Sequence, residues 1–348
     1  MNILTSRGNL KSKSISNEML IEKRTAWIVK YWQKEGFPYY RTDEQFRQEK
    51  FDAFMKVNDA TSLDFNNRIF KFNNAGLALA WSYHPHAFEV ECNDNKSPYD
   101  VFNDKEIFGN GIRKTLKGSF FKKRSYEDLR NNSEQTKQVI RGILRRVTGS
   151  QMVSNYRPVS ASALYKLFTD KGDVVYDPSC GWGGRLLASI KSEVNYIGTD
   201  PETTTQKGLS EMVSTFGNKA YHYELHTMGS QYFPHEKNSL DFAFTSPPYF
   251  DCEKYSKTET TQSYLEYSNI EEWKESFLRK TLEGVYYGLK KNKFLAFNVA
   301  NVKSYPTFEK DTKQIAKEVG FKLVDTFDLR MSSQQKSHKD EPIFVFKK

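Results

Sequence analysis

From about residue 151 to the C-terminus the chain repeats one rhythm: a short apolar run, a turn, then a segment with helical spacing. The runs at 174–177 (VVYD), 195–200 (NYIGTD), 221–227 (YHYELHT), 240–245 (LDFAFT) and 293–300 (KFLAFNVA) have the length and composition of strands. Helical patterns separate them at 185–192, around 203–216, at 271–289 and at 307–319. The last two runs, FKLVDTFDLR (321–330) and PIFVFKK (342–348), have no helix between them. Alternating strands and helices predict an α/β fold: a doubly wound, mostly parallel, seven-stranded sheet. The final pair predicts an antiparallel hairpin at one edge.

Residues 1–150 read differently, as a mixed α+β region rich in aromatics, so the expected boundary falls between 150 and 151. The first ~20 residues are polar and read as a loosely ordered tail. Short helices are expected around the GFPYYR turn (36–41), and a hairpin over 66–92 around Asn73-Asn74-Ala75-Gly76. Residues 133–148 predict an amphipathic helix, with Val139, Ile140, Ile143, Leu144 and Val147 on one stripe. Lys137, Arg141 and Arg145 recur every four residues on another face. That face suits phosphates, or is the wet side of a packed helix. Charge bears on the choice: residues 1–150 hold 26 Lys+Arg against 18 Asp+Glu, and residues 151–348 hold 26 against 25. A polyanion-facing surface is therefore expected on the N-terminal part, which becomes the candidate target-recognition region.

Other classes drop out. No apolar run approaches the ~20 residues of a membrane helix, and the start lacks the apolar stretch of a signal peptide. Cys92, Cys180 and Cys252 are odd in number and widely spaced, which fits a reducing cytoplasm and neither a disulfide framework nor a zinc pattern. His222 and His226 have helical i,i+4 spacing but no HExxH context, and His84-Pro-His86 is equally bland. No metal is expected.

Three features carry chemistry. Asp177-Pro178-Ser179-Cys180-Gly181-Trp182-Gly183-Gly184 follows one predicted strand and opens a helix. Glycines there let a ligand approach the backbone, and the helix start offers unpaired N–H groups; dinucleotide enzymes share such turns, although GxGxxG spacing is missing. Asp200 ends the next strand, where an acid accepts hydrogen bonds from ribose hydroxyls, or caps the following helix. Thr245-Ser246-Pro247-Pro248-Tyr249-Phe250 ends a third strand. Two prolines fix the backbone and remove donors, so carbonyls and the Ser246 hydroxyl present acceptors beside an aromatic ring. Acceptors plus a ring suit a flipped base bearing an amino group; a rigid structural loop is the plainer alternative.

These residues resemble the Rossmann-like (class I) amino-methyltransferases of DNA N6-adenine and N4-cytosine. DPSCGWGG is similar to their cofactor motif and TSPPYF to their catalytic motif. VSNYRPVSASALYKLF (153–168) resembles the segment preceding the cofactor motif, and EPIFVFKK (341–348) the last strand. The GWGGR and SPPYF segments look closest to phage-associated and bacterial DNA methyltransferases, including those of restriction-modification. The resemblance covers residues 151–348. It implies S-adenosylmethionine as cofactor, lined by Tyr156, Arg157, Asp177, Pro178, Ser179, Cys180, Gly181, Gly183 and Asp200. It implies Ser246, Pro247, Pro248 and Tyr249 as the catalytic set; Phe250, and the basic helix face of Lys137, Arg141 and Arg145 read from spacing alone, are the candidates toward nucleic acid. Serine before Pro-Pro leans toward N4-cytosine. An RNA base methyltransferase (N2-guanine or N6-adenine) resembles the same motif pair, and an inactive nucleic-acid-binding relative would keep the fold without the chemistry.

Overall fold

The computed structural model describes residues 17–118, 124–146, 149–255, 261–331 and 340–348. Its helices are α1 (Asn17–Glu35), α2 (Glu44–Met55), α3 (Leu77–Tyr83), α4 (Pro98–Asn103), α5 (Lys105–Lys117), α6 (Glu134–Arg146) and α7 (Pro158–Phe168). They continue with α8 (Gly184–Ser192), α9 (Thr203–Phe216), α10 (Ser263–Glu266), α11 (Ile270–Trp273), α12 (Lys280–Gly288) and α13 (Phe308–Val319). The strands are β1 (Leu63–Asp64), β2 (Ile69–Phe70), β3 (Glu91–Cys92), β4 (Val174–Asp177), β5 (Asn195–Thr199) and β6 (Tyr223–His226). After them come β7 (Leu240–Thr245), β8 (Glu253–Lys254), β9 (Leu289–Asn298), β10 (Lys322–Arg330) and β11 (Asp340–Lys347).

The chain divides into two compact units, Met1–Pro38 with Tyr99–Ser150, and Tyr39–Pro98 with Gln151–Lys348. Residues 39–98 thus group with 151–348, apart from the rest of the N-terminal part. In the first unit, α1, α5 and α6 bury Ile28, Trp32, Phe108, Ile112, Ile140, Ile143 and Leu144 together. The Trp32 indole N–H donates to the Leu129 carbonyl at 2.8 Å, which satisfies the one polar atom such a ring takes inside. The apolar stripe of α6 is thus the expected one as far as Leu144; Val147 lies outside the described residues.

The second unit is built on a sheet of order β1-β2-β10-β11-β9-β7-β4-β5-β6. β6, β5, β4, β7 and β9 pair in parallel, and β11 runs antiparallel to both of its neighbours. This is the expected doubly wound, mostly parallel sheet with its antiparallel β10–β11 hairpin. Two short strands from residues 39–98 extend it: β2 pairs with β10, and β1 with β2. Successive residues of the central strands alternate between two cores, as the two-residue strand period requires. Val175, Phe242, Phe244, Ala296, Ile343 and Val345 face one side beneath α7. Tyr176, Ala243, Leu295, Phe297, Phe344 and Phe346 face the other, against α12 and α13. Each buried phenylalanine contributes about 2 kcal/mol of transfer free energy, and this two-sided burial makes the strands read as continuous apolar runs.

The expected hairpin over 66–92 is corrected. Only Leu63–Asp64 and Ile69–Phe70 pair, around a turn before Asn73. After Gly76, residues 77–83 (LALAWSY) form a helix whose Leu79, Ala80 and Tyr83 bury against α8 and α9. Burial on several sides erased the helical stripe and left an alternation that mimics a strand. Tyr223–His226 is the strand expected over 221–227, so His222 and His226 do not share a helix face.

Candidate active site

The chain runs from β4 outward through β5 to β6, then returns to lay β7 against the opposite side of β4. Loops after β4 and β7 therefore leave adjacent parallel strand ends in opposite directions, which opens a crevice at their carboxyl edge. The two motifs singled out in the sequence are these two loops.

Asp177 ends β4 fully buried. Its Oδ2 accepts from Arg185 Nε at 2.7 Å and from Tyr196 Oη at 2.7 Å, and its Oδ1 accepts the Ser179 N–H at 3.3 Å. Arg185 also donates to the Ser179 carbonyl. Burial works against the Arg185 charge, but the Asp177 carboxylate outweighs it and raises the guanidinium pKa above its usual value. Asp177 thus shapes the loop from beneath. Pro178 accepts the Thr199 hydroxyl at 2.8 Å, and the Cys180 N–H donates to the Thr199 carbonyl at 2.9 Å. Burial, then the charges of Asp200 and Asp177, push the Cys180 thiol well up, so it is no nucleophile.

The glycines divide by what stands opposite them. A Cβ on Gly183 would lie 2.8 Å from Met212 Cε, and one on Gly184 would lie 1.9 Å from the Tyr156 carbonyl oxygen. Those two positions serve packing. Gly181, at φ +50°, would meet nothing closer than the Ser179 carbonyl at 3.8 Å. It is the open floor of the loop.

Asp200 stands beside that floor. Its Oδ2 accepts the Gly181 N–H at 3.0 Å and its Oδ1 the Glu202 N–H at 3.1 Å. Burial pushes its pKa up to about 6 in spite of those two donors. The helix-cap reading passes to Glu202, whose carboxylate accepts the Thr205 N–H at the start of α9. Burial opposes the Glu202 charge, but bonds from His86 and Thr205 hold the pKa down at about 2. Gln206 escaped sequence reading. Its Nε2 bridges the carbonyls of Asp200 (3.1 Å) and His226 (2.9 Å), fixing the ends of β5 and β6 together. A glutamine inside a helix carries no signal until its neighbours are known.

On the other lip, Thr245 is fully buried with its hydroxyl unpartnered. Pro247 is buried, while Ser246, Pro248 and Tyr249 are half-buried. The Tyr249 ring stands edge-on to Phe308 at 5.6 Å. Burial and then the nearby Glu341 carboxylate raise its phenol well above the usual range, so it stays protonated. Phe250 adopts φ +56°, uncommon for a bulky side chain, and its ring leans on buried Trp273 at 6.2 Å. The ring is half-buried in this position.

The segment before α7 crosses the same edge. The Ser154 N–H donates to Glu253 at 3.3 Å, and Asn155 Nδ2 donates to the Trp182 carbonyl at 3.0 Å. The Tyr156 ring stands edge-on to Phe244 at 5.0 Å, and Arg157 caps α7 with its guanidinium 5.0 Å from the Phe72 ring. Trp182 is boxed by Trp81, His84, His86 and Tyr255, with centroids 5.3–5.9 Å away. Burial, then the His86 charge, push the His84 pKa down to about 3, so that ring sits neutral against the indole.

In the first unit the basic stripe does not hold as one face. Arg145 is exposed and Lys137 half-buried. Arg141 is 4% exposed and donates to the Pro38 carbonyl at 2.8 Å and to Glu134 at 2.6 Å. Desolvating a guanidinium requires such partners, so this arginine is a packing residue and its expected phosphate contact is corrected. Among the described residues no group of His, Cys, Asp and Glu is arranged to hold a metal ion, and no helix is long and apolar enough to cross a membrane.

No family model and no curated protein matches the sequence. Solved structures do. A SAM-dependent methyltransferase of Methanosarcina mazei is 11% identical, over 53% of this chain and 96% of that one, with a TM-score of 0.38. A SAM-dependent O-methyltransferase from Thermotoga maritima is 10% identical over 56% and 67%, with a TM-score of 0.39. TrmN from Thermus thermophilus is 16% identical over 55% of this chain and 48% of its own, with a TM-score of 0.37. Likenesses this distant assign no residue a role.

Proposed function

We propose that this protein is an S-adenosylmethionine-dependent methyltransferase that modifies the exocyclic amino nitrogen of a DNA base, at cytosine N4 or adenine N6. The observation that carries the reading is the meeting of two unlike lips at one switch point. One holds an open glycine beside a half-buried carboxylate, and the other an acceptor-rich Pro-Pro turn beside an aromatic ring.

The donor set fits an adenosyl cofactor. Asp200 keeps lone pairs beyond those used by Gly181 and Glu202, and a carboxylate there accepts two ribose hydroxyls. Gly181 leaves room for the ligand against the backbone. S-adenosylmethionine supplies, when bound, a methyl group on a sulfonium that leaves readily. The chain's own work is positioning. The Ser246 hydroxyl and the Pro247 carbonyl accept hydrogen bonds from the target amino group and aim its lone pair, while Tyr249 offers its ring to the base. Holding the reacting atoms in line is worth many orders of magnitude without a covalent intermediate. DNA is the proposed partner, drawn by the basic excess of residues 1–150.

Incubation with methyl-labelled S-adenosylmethionine and either DNA or RNA from an unmethylated host tests this. The reading expects label in DNA, carried on amino-methylated nucleosides. Label in RNA alone favours the RNA alternative, and tight cofactor binding without transfer to either leaves a binding protein.

A further inference from the structure

Three buried polar groups at the β7 side of the crevice have no hydrogen-bond partner: the Thr245 hydroxyl, the Tyr156 hydroxyl, and Nε with Nη2 of Arg157. Arg157 is 5% exposed. A buried guanidinium with two unpaired N–H groups is costly and calls for a partner from a ligand or an ordered water.

Their location follows from the sheet. β7, β9 and β10 run parallel, and β2 parallel to β10, so the ends of all four strands meet one edge. Thr245 pairs with Phe297, and Phe297 with Phe344, so Glu341 at the start of β11 lies on that same edge. Phe72, just past β2, lies there too, half exposed beneath the Arg157 guanidinium. Asp200, by contrast, ends β5, on the far side of β4 from these groups. Arg157, Tyr156 and Tyr249 all feel the charge of Glu341 at this edge.

We infer that Arg157 reads the target base and belongs to the base pocket, not to the cofactor, with its Nε and Nη2 donating side by side to N3 and O2 of a cytosine. This deepens the proposed function and rests on it. Cytosine presents, along one edge, an amino donor and then two adjacent acceptors. The acceptor turn at Ser246–Pro247 takes the first, and the arginine fork takes the other two. Adenine offers one acceptor and then a C–H, which leaves one arginine N–H buried and unmet. Guanine presents a ring N–H toward the cation. A bidentate arginine pair discriminates by about 10- to 100-fold against a base that cannot complete it.

The test uses the full chain expressed in a methylation-free bacterial host, with nucleoside mass spectrometry of its DNA and calorimetric titration with S-adenosylmethionine. Wild-type protein is expected to leave 4-methylcytosine. Arg157→Met and Arg157→Lys should each lose at least 10-fold in that mark while keeping the wild-type cofactor affinity, since lysine retains the charge but not the fork. N6-methyladenine as the wild-type mark overturns the inference while leaving amino-methylation standing. So does an Arg157→Lys variant of undiminished activity, which means a charge contact to phosphate. A cofactor affinity weakened 10-fold or more in a folded variant returns Arg157 to the cofactor. The absence of any amino-methylated base overturns the underlying reading instead.

Discussion

The Asp177 carboxylate and the Arg185 guanidinium meet at 2.7 Å with both side chains almost wholly buried, and this pair holds the loop on which the candidate cofactor cradle is built. Asp177 also takes the Tyr196 hydroxyl, and Arg185 also holds the Ser179 carbonyl. The pair is a positioning device rather than a contact for substrate.

Arg185→Met should therefore destabilise the fold by about 3–5 kcal/mol, because it leaves the Asp177 charge buried without its partner. Urea denaturation measures this. Arg185→Met combined with Asp177→Asn should recover part of the loss, whereas equal losses in the single and double variants would mean that the charge itself is not what matters.

Cofactor binding should depend on the state of Asp200. Its pKa stands raised at about 6, and ribose hydroxyls donate to the ionised form, so affinity should be full above that value. It should fall as pH drops through it, approaching tenfold per unit. Titration calorimetry between pH 5 and 8 reads the slope, and Asp200→Asn should bind weakly with no such slope. The effect on folding has the opposite sign. Since the folded pKa lies above the unfolded value of 3.8, this group's contribution to stability is lost as pH rises from about 4 to above 6.

The acceptor lip separates from the cofactor lip by mutation. Ser246→Ala should lower the methylation rate by about 100-fold, the scale of removing one positioned polar group from a reacting centre, and Tyr249→Ala by about 10-fold or more, the scale of a lost base–aromatic stack. Cofactor affinity should remain within about twofold. A variant that loses affinity as much as rate would show that the two lips are not separate.

The basic helix now divides. Neutralising exposed Arg145 and half-buried Lys137 should weaken DNA binding and reduce the salt slope by about 2, near 1 for each phosphate that is no longer neutralised. Arg141→Gln should instead lower the melting temperature, because its bonds to Pro38 and Glu134 go with the guanidinium.

What the sequence disclosed follows a physical divide. The strands at 174–177 and 240–245 and the helix at 203–216 were legible because burial on both faces gives unbroken apolar runs and because glycine, proline and acidic residues mark their ends. The strand-end positions of Asp177, Asp200 and Ser246 followed from those boundaries. Residues 77–83 were not legible, since a helix buried on several sides loses its stripe. Nor does the sequence assign Arg141, whose spacing puts it on a basic face while Pro38 and Glu134 take its guanidinium. Gln206, Arg185 and the two strands added by residues 39–98 depend on contacts between distant segments, which no local pattern encodes.

The most direct test of the central claim is nucleoside mass spectrometry on DNA and RNA from a methylation-free host expressing the wild-type chain or its Ser246→Ala variant. The account predicts an amino-methylated base in DNA from the wild type and almost none from the variant. A mark found only in RNA, or one that persists unchanged in the variant, would contradict it.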